Sequence, residues 1–202
     1  VGFHAYPQWF RGGFIGVDIF FVISGYLISA IIFGNLQSDS FTYQEFYRRR
    51  VRRIFPALVV VLLACLGVGW FGLLASDYQQ LGQHTLGGTS FVSNFVLWRE
   101  SGYFDTNAEA KPLLHLWSLA IEEQFYILWP LLLGWVWQRK WNFFAVTSAV
   151  ALLSFGVNLL SFPGHAAAAF YSPLSRFWEL MMGGLLAYAA LYRPILIARY
   201  RN

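Results

Sequence analysis

Charged side chains are scarce in this chain. Asp, Glu, Lys and Arg account for 12% of its 202 residues, about half the ~25% of an average soluble domain. That is too little to cover a water-facing surface. Cysteine is nearly missing as well. Cys65 stands alone, so an intrachain disulfide is excluded, and no Cys/His spacing suits zinc; no metal is expected. The net charge of +4 occurs as short clusters beside apolar stretches, not as a long basic stripe or an aromatic-basic RNA module. Nucleic acid is therefore excluded as a partner. A signal peptide, with its basic n-region and short apolar h-region, is lacking too. The chain opens at Val1 rather than Met and closes at Asn202 soon after an apolar stretch. Both ends read as cuts, and the expectation is one partial domain over residues 1–202 of a larger polytopic protein.

What the chain does hold is apolar and aromatic. Hydrophobic residues make up 57% and aromatics 20%, with nine Trp, and the mean hydropathy is +0.50. Rings in such number anchor helices at membrane interfaces. The expected fold is an all-α, polytopic transmembrane bundle. Five runs read as spans: Val17 to Phe33, Phe55 to Ala75, Leu116 to Trp137, Trp141 to Leu160 and Ser175 to Tyr192. The first is near the minimum length for a crossing. Pro56 fits the first turn of the second, where its missing N–H costs little.

Cation placement predicts the topology. Arg48–Arg53, Arg139-Lys140 and Arg193–Arg201 all belong on the cytoplasmic side. The first, third and fifth spans then run inward, and the second and fourth run outward. The loop from Ser101 to Lys111 is external. The weaker apolar segment from Leu81 to Trp98 must start and finish outside. It is expected to be re-entrant or interfacial, which its Gln83, His84, Ser90 and Asn94 permit if protein buries them.

Ionisable groups at membrane depth are costly and are functional candidates. Arg50 and Arg53, three residues apart, share a helix face at the cytoplasmic boundary, where two guanidinium forks suit a diphosphate. Plain topology and lipid-headgroup contact explain the same charges. His4 is a candidate general base for a hydroxyl, or incidental. Asp18 is placed either to orient His4 or to complement a helix dipole. His115, Ser118 and Glu122 fall on one helical face, but about 10 Å separates His115 from Glu122 along the axis. They read as a polar stripe lining a cavity, with Glu122 the key acid, or as structural hydrogen bonding. Glu123 points away and reads as interfacial. Arg176 and Glu179 read as a structural ion pair, and His84 and His165 as solvent-facing.

Five strings together carry a family resemblance: FHA at residues 3–5, GGFIGVDIFFVISGYLI, FYRRRVRRIFPAL, LLHLWSLAIEEQFYILWP and SPLSRFWELMMGGLLA. In that order they resemble the membrane acyltransferase-3 family, closest in style to bacterial members that O-acetylate cell-surface polysaccharide. Some of those carry a fused extracytoplasmic SGNH-type domain. The resemblance implies about ten transmembrane helices in the whole protein. It also implies transfer of an acetyl or short acyl group from cytoplasmic acyl-CoA to a sugar hydroxyl across the membrane. His4 matches the histidine of the family's first-helix motif, whose basic partner would fall before residue 1. Arg50 and Arg53 match its R-x-x-R motif, Asp18 the Asp of GVD-FF, and Glu122 the Glu of WSL-x-x-E.

The resulting expectation is an acyl-CoA-dependent O-acyltransferase of the bacterial inner membrane. Arg50 and Arg53 would bind the donor, and His4, Asp18 and Glu122 would serve catalysis. No cofactor is bound permanently; acetyl-CoA or another acyl-CoA is the co-substrate. The other partners are a cell-surface glycan or glycolipid acceptor and the bilayer. A transporter or flippase with the same charges lining its path is the alternative, and a sensor or scaffold without chemistry is a third class.

Overall fold

The computed structural model describes residues 15–101, 111–161 and 163–192. Among them there are helices and no strands. The helices are α1 (Ile15–Gln37), α2 (Tyr43–Gly72), α3 (Ala75–Thr89), α4 (Ser93–Glu100), α5 (Leu116–Gln138), α6 (Phe143–Ser161), α7 (Ala166–Tyr171) and α8 (Pro173–Tyr192). Three of them, α1, α2 and α6, are long and apolar enough to cross a membrane by length and composition. The chain is an all-α bundle of a multi-pass membrane protein. His4 lies outside the described residues.

Side-chain register sets the helix directions. Asp18, Gly25, Ser29 and Phe33 on α1 meet Arg176, Leu180, Gly184 and Tyr188 on α8 in that order. Hence α1 and α8 run parallel. Phe21, Ser24 and Ser29 meet Trp117, Tyr126 and Trp129 of α5, so α5 runs the same way. By contrast, α6 is antiparallel to α8, with Ser154 beside Leu174 near one end and Thr147 beside Gly184 further along. The helix α2 also opposes α5. This is the alternation that the positive clusters predict.

Glycine decides the α1–α8 contact. A Cβ at Gly25 would collide with the Leu180 carbonyl, and one at Gly183 with the Val22 carbonyl. Both helices therefore approach to backbone contact, as small residues allow in membranes. Phe21, Ile28, Ile32, Phe33, Phe125, Trp129, Leu133 and Leu180 form the surrounding core.

The second span departs from expectation. Pro56 does not start it; α2 begins at Tyr43 and carries the proline inside the helix. The arginine run is good helix-forming sequence, and it extends the helix on the N-terminal side of Pro56. The proline forfeits one hydrogen bond, to the carbonyl four residues earlier, Arg52. The helix stops at Gly72, and Ala75 already opens α3. The other spans shift by at most four residues at their ends.

The polar segment folds as a helical hairpin. Helices α3 and α4 reverse at residues 90–92, where Phe91 takes φ +54°, an unusual conformation for a bulky residue. Gln124 of α5 donates to the Phe91 carbonyl at 2.7 Å and to Asn94 Oδ1 at 2.9 Å, so the broken backbone finds a protein partner at depth. Both arms return to the end from which they came. There His84, expected in solvent, is buried. Its Nε2 lies 2.8 Å from Glu100 Oε1, and Lys111 Nζ lies 3.1 Å from Glu100 Oε2. The reversal brings together residues sixteen apart, which local sequence does not signal.

Two predictions follow from these contacts. Gly25→Val should destabilise the bundle by about 1–3 kcal/mol or more, whereas Gly67→Ala, in open space, should not; thermal unfolding in detergent reads both. Burial pushes the Glu100 carboxyl up, but hydrogen bonds and charge from His84 and Lys111 outweigh it and hold the group below its usual value. Its contribution is complete above the unfolded value of about 4.3 and is lost as pH falls through the folded one. Wild type should therefore unfold at higher temperature than Glu100→Gln at pH 7, with the gap closing toward pH 3. A gap independent of pH would refute the assignment.

Candidate functional site

The arginine run is helical, so its five guanidinium groups point in different directions. Arg48 and Arg49 both pair with Glu45, the latter at 2.7 Å. Arg52 is exposed. Arg50 turns inward, with its guanidinium carbon 4.6 Å from the centre of the Tyr126 ring and 5.8 Å from that of Phe46. Arg53, one turn on, is exposed like Arg52 but lines the same cavities as Arg50.

Tyr126 organises the groups around Arg50. Its hydroxyl donates to Glu122 on the preceding turn of α5 and also bonds Ser24 of α1. Glu122 and Glu123 are both buried, so the expectation that Glu123 is interfacial is wrong. The helical turn aims it toward α2, where it lines the same space as Arg50 and Arg53. Further along α2, Tyr47 donates to the Ile127 carbonyl at 2.9 Å, and the Tyr43 hydroxyl packs on Gly134. Long side chains thus bridge α2 to α5 while the space between them stays open.

Two cavities lie beside Arg50, the wide one between α1 and α2 and the narrow one among α1, α2 and α5. A wide one, about 590 Å³, is lined by Ala30, Gly34, Asn35, Ser40 and Thr42 together with Glu45, Arg49, Arg50 and Arg53. A narrow one, about 240 Å³, is lined by Phe20, Ile23, Ser24, Leu27, Glu122, Glu123 and Tyr126, again with Arg50 and Arg53. The two arginines belong to both. From Phe20 to Gly34 the linings follow α1 for about 21 Å, two-thirds of a ~30 Å hydrocarbon layer. The charges differ between them. Three guanidiniums and one carboxylate give the wide cavity a net of +2 from its lining. Two guanidiniums and two carboxylates leave the narrow one neutral.

This geometry moves the arginine pair. Tyr126 lies ten residues into α5, about 15 Å along a helix some 35 Å long. Arg50 therefore stands beside the middle of α5, deeper than the boundary position expected. His115 precedes α5 and is exposed, and Ser118 bonds back to its carbonyl at 3.2 Å. The expected stripe from His115 to Glu122 is thus divided: only Glu122 enters a cavity.

Asp18 joins a second cluster. Its Oδ1 accepts from Arg176 Nη1 at 2.9 Å, and the same nitrogen donates to Glu179 Oε1 at 2.7 Å. The Arg176–Glu179 pair exists as the spacing implies, with Asp18 as a third member 158 residues away. Asp18 and Glu122 thus lie in different clusters, both along α1. Tyr126, Ser24 and Glu123 are the site residues that sequence reasoning passed over. Tyr126 is legible as the i+4 neighbour of Glu122; Ser24 has no local signal.

The acyltransferase domain family profile matches residues 1–201. A Haemophilus influenzae protein of undescribed function is 37% identical over 85% of the chain and 73% of its own length. A putative peptidoglycan O-acetyltransferase of Bacillus subtilis is 36% identical over 93% of the chain and 30% of its own length. The peptidoglycan O-acetyltransferase OatA of Listeria monocytogenes is 34% identical over 93% of the chain and 31% of its own length. The chain thus spans less than a third of these last two proteins. No solved structure matches it. The motif strings, the buried polar groups they place in an all-α bundle and a match along nearly the whole length lead to one identification: the chain belongs to the acyltransferase-3 family.

Proposed function

We propose that the chain handles the donor in a membrane O-acyltransferase that moves an acetyl or short acyl group from cytoplasmic acyl-CoA to a hydroxyl of a cell-envelope glycan. The observation that carries this reading is the pair of cavities sharing Arg50 and Arg53. A donor with an anionic head and a neutral, amide-bearing arm fits their charges. Its phosphates suit the +2 cavity, where planar guanidinium forks bind them bidentately. Its arm suits the narrow, neutral cavity, where the Glu123 carboxylate accepts an amide N–H. Lined over about 21 Å, the path leads from the cation-rich end of the bundle toward Asp18.

The chemistry is a thioester-to-ester exchange. The acceptor hydroxyl attacks the thioester carbonyl, the C–O bond forms and the C–S bond breaks. The hydroxyl proton passes by way of a base to the departing thiolate. In this scheme His4 is that base, as the family resemblance implies. Asp18 and Glu122 orient His4 or the acceptor. A thioester is already activated, so the exchange itself calls for no metal. The relatives' names support peptidoglycan as the acceptor, and the positive-inside rule supports the inner membrane with the wide cavity facing the cytoplasm.

The full-length protein in nanodiscs provides the test. Arg50→Ala and Arg53→Ala should each weaken acetyl-CoA binding by about tenfold or more, the loss of a charged hydrogen bond worth ~1.5–3 kcal/mol. Unchanged affinity in both removes the donor site. Release of free CoA only when acceptor is present separates a transferase from a transporter. Tyr126→Phe keeps the ring under Arg50 but strips Glu122 of its donor. Donor affinity should hold within about threefold while transfer slows by about tenfold. Equal losses in both would refute the division of labour between Arg50 and Glu122.

A further inference from the structure

Glu122 and Glu123 both line the narrow cavity, but their hydrogen bonding differs. Glu122 accepts the Tyr126 hydroxyl. Glu123 is 7% exposed, and among the described residues its Oε1 is fully buried with no hydrogen-bond partner. Arg50 and Arg53 line the same cavity, yet neither donates to that oxygen. Buried acceptors in native proteins are nearly always paired, because a lone pair taken from water and left empty is costly. A carboxyl with a purely structural role would have found a donor. An empty one on a cavity wall marks where a ligand's donor belongs.

The surroundings limit what that donor is. The lining already carries two guanidiniums, so a cationic donor would be repelled. Phe20, Ile23 and Leu27 make much of the rest of the wall apolar. A neutral N–H on a slender chain meets both conditions, and an amide supplies it. A carboxyl oxygen keeps a lone pair whether or not the group carries a proton, so the match does not depend on charge. Position narrows the choice further. Tyr126 marks the level of Arg50, whose guanidinium carbon lies 4.6 Å from its ring centre. Glu123 precedes Tyr126 by three residues on α5 and so lies about 4.5 Å further from the Arg139-Lys140 end. A donor with its phosphates on Arg50 and Arg53 therefore brings to Glu123 the first amide of its arm, the one nearer those phosphates.

Resting on the transferase reading above, we propose that Glu123 is a specificity-determining residue: its Oε1 accepts the N–H of the pantetheine amide nearer the diphosphate and restricts the donor to thioesters carried on a pantetheine arm. Arg50 and Arg53 hold the head, and Glu123 reads the arm. Simple thioesters and acyl phosphates lack that N–H and are poor donors. The discrimination comes from one lone pair, not from charge.

The test uses the full-length protein in nanodiscs and direct binding. The probes are acetyl-CoA, S-acetylpantetheine, the nucleotide head of coenzyme A without its arm, and an acetyl-CoA whose nearer amide N–H is replaced by an ester oxygen. Wild type should bind the ester analogue about tenfold more weakly than acetyl-CoA. Glu123→Leu should weaken acetyl-CoA and S-acetylpantetheine by about tenfold and should no longer distinguish amide from ester, the non-additivity of a direct contact. Glu123→Gln keeps a carbonyl acceptor and should stay within about threefold of wild type. Binding of the nucleotide head should hold within about threefold in both variants. A residue that merely balances the charge of Arg50 would lose as much in Glu123→Gln as in Glu123→Leu and would alter head binding; that pattern overturns the proposal. So does equal wild-type affinity for the amide and ester donors, a result that requires no variant to fold. A wild type that binds S-acetylpantetheine in a Glu123-dependent way but ignores the nucleotide head would refute the phosphate role of Arg50 and Arg53 and leave this one standing. Binding of no probe overturns both.

Discussion

A guanidinium beside the middle of α5 has to be neutralised, and the site is arranged around that need. Arg50 has left water for the interior of a helical bundle, where an unpaired charge costs several kcal/mol. Three things compensate it: the face of Tyr126, and the carboxylates of Glu122 and Glu123, which line the same cavity. Glu122 in turn is held by the Tyr126 hydroxyl, and that hydroxyl by Ser24. The half-buried Arg50 therefore ties α1, α2 and α5 together. Truncating one member leaves its partners buried and unpaired.

The bundle has a tight half and an open half. Helices α1 and α8 touch at backbone level through Gly25 and Gly183, and Gly184 lets the Ser29 hydroxyl, the Trp129 ring and Thr147 close in. That half resists deformation, as close-packed interiors do, and it carries the Asp18–Arg176–Glu179 cluster. On the other side, Tyr43, Tyr47 and Arg50 of α2 reach α5 through the ends of long side chains, and Leu58 and Leu62 share an apolar cluster with Leu116 and Leu119. Cavities remain where backbones do not meet.

Long-range pattern was legible in the sequence, and short-range chemistry only in part. Apolar runs and cation placement carry the all-α class and the alternation of direction, because both follow from the bilayer and not from particular contacts. Pro56 misled, since its effect depends on what precedes it. A proline opens a helix only where nothing helical precedes it, and the arginines before Pro56 are helical too. His84 was placed in solvent because its partner, Glu100, arrives through a chain reversal. Arg176 and Glu179 were seen as a pair by spacing, while Asp18, 158 residues distant, left no trace of joining them. Glu123 was misjudged because the helical wheel showed its angle to Glu122 but not that α2 stands on that side.

The same logic accounts for the hairpin of α3 and α4. With α1, α5 and α8 parallel, α2 ends at the end where α5 must begin. Whatever connects them has to start and finish there, so a single crossing is forbidden and a hairpin is allowed. A hairpin tip exposes backbone, which lipid cannot satisfy. Its polar residues follow from that constraint. Gln124 reaches over from α5 to the Phe91 carbonyl, and Asn94 donates to the Tyr171 carbonyl at 3.0 Å. Next to Tyr171 lies Phe170, whose carbonyl receives Arg176. The segment expected to be re-entrant or interfacial is thus the element that closes the bundle between α5 and the Asp18 cluster. Its polarity is the condition for burying a turn at that depth.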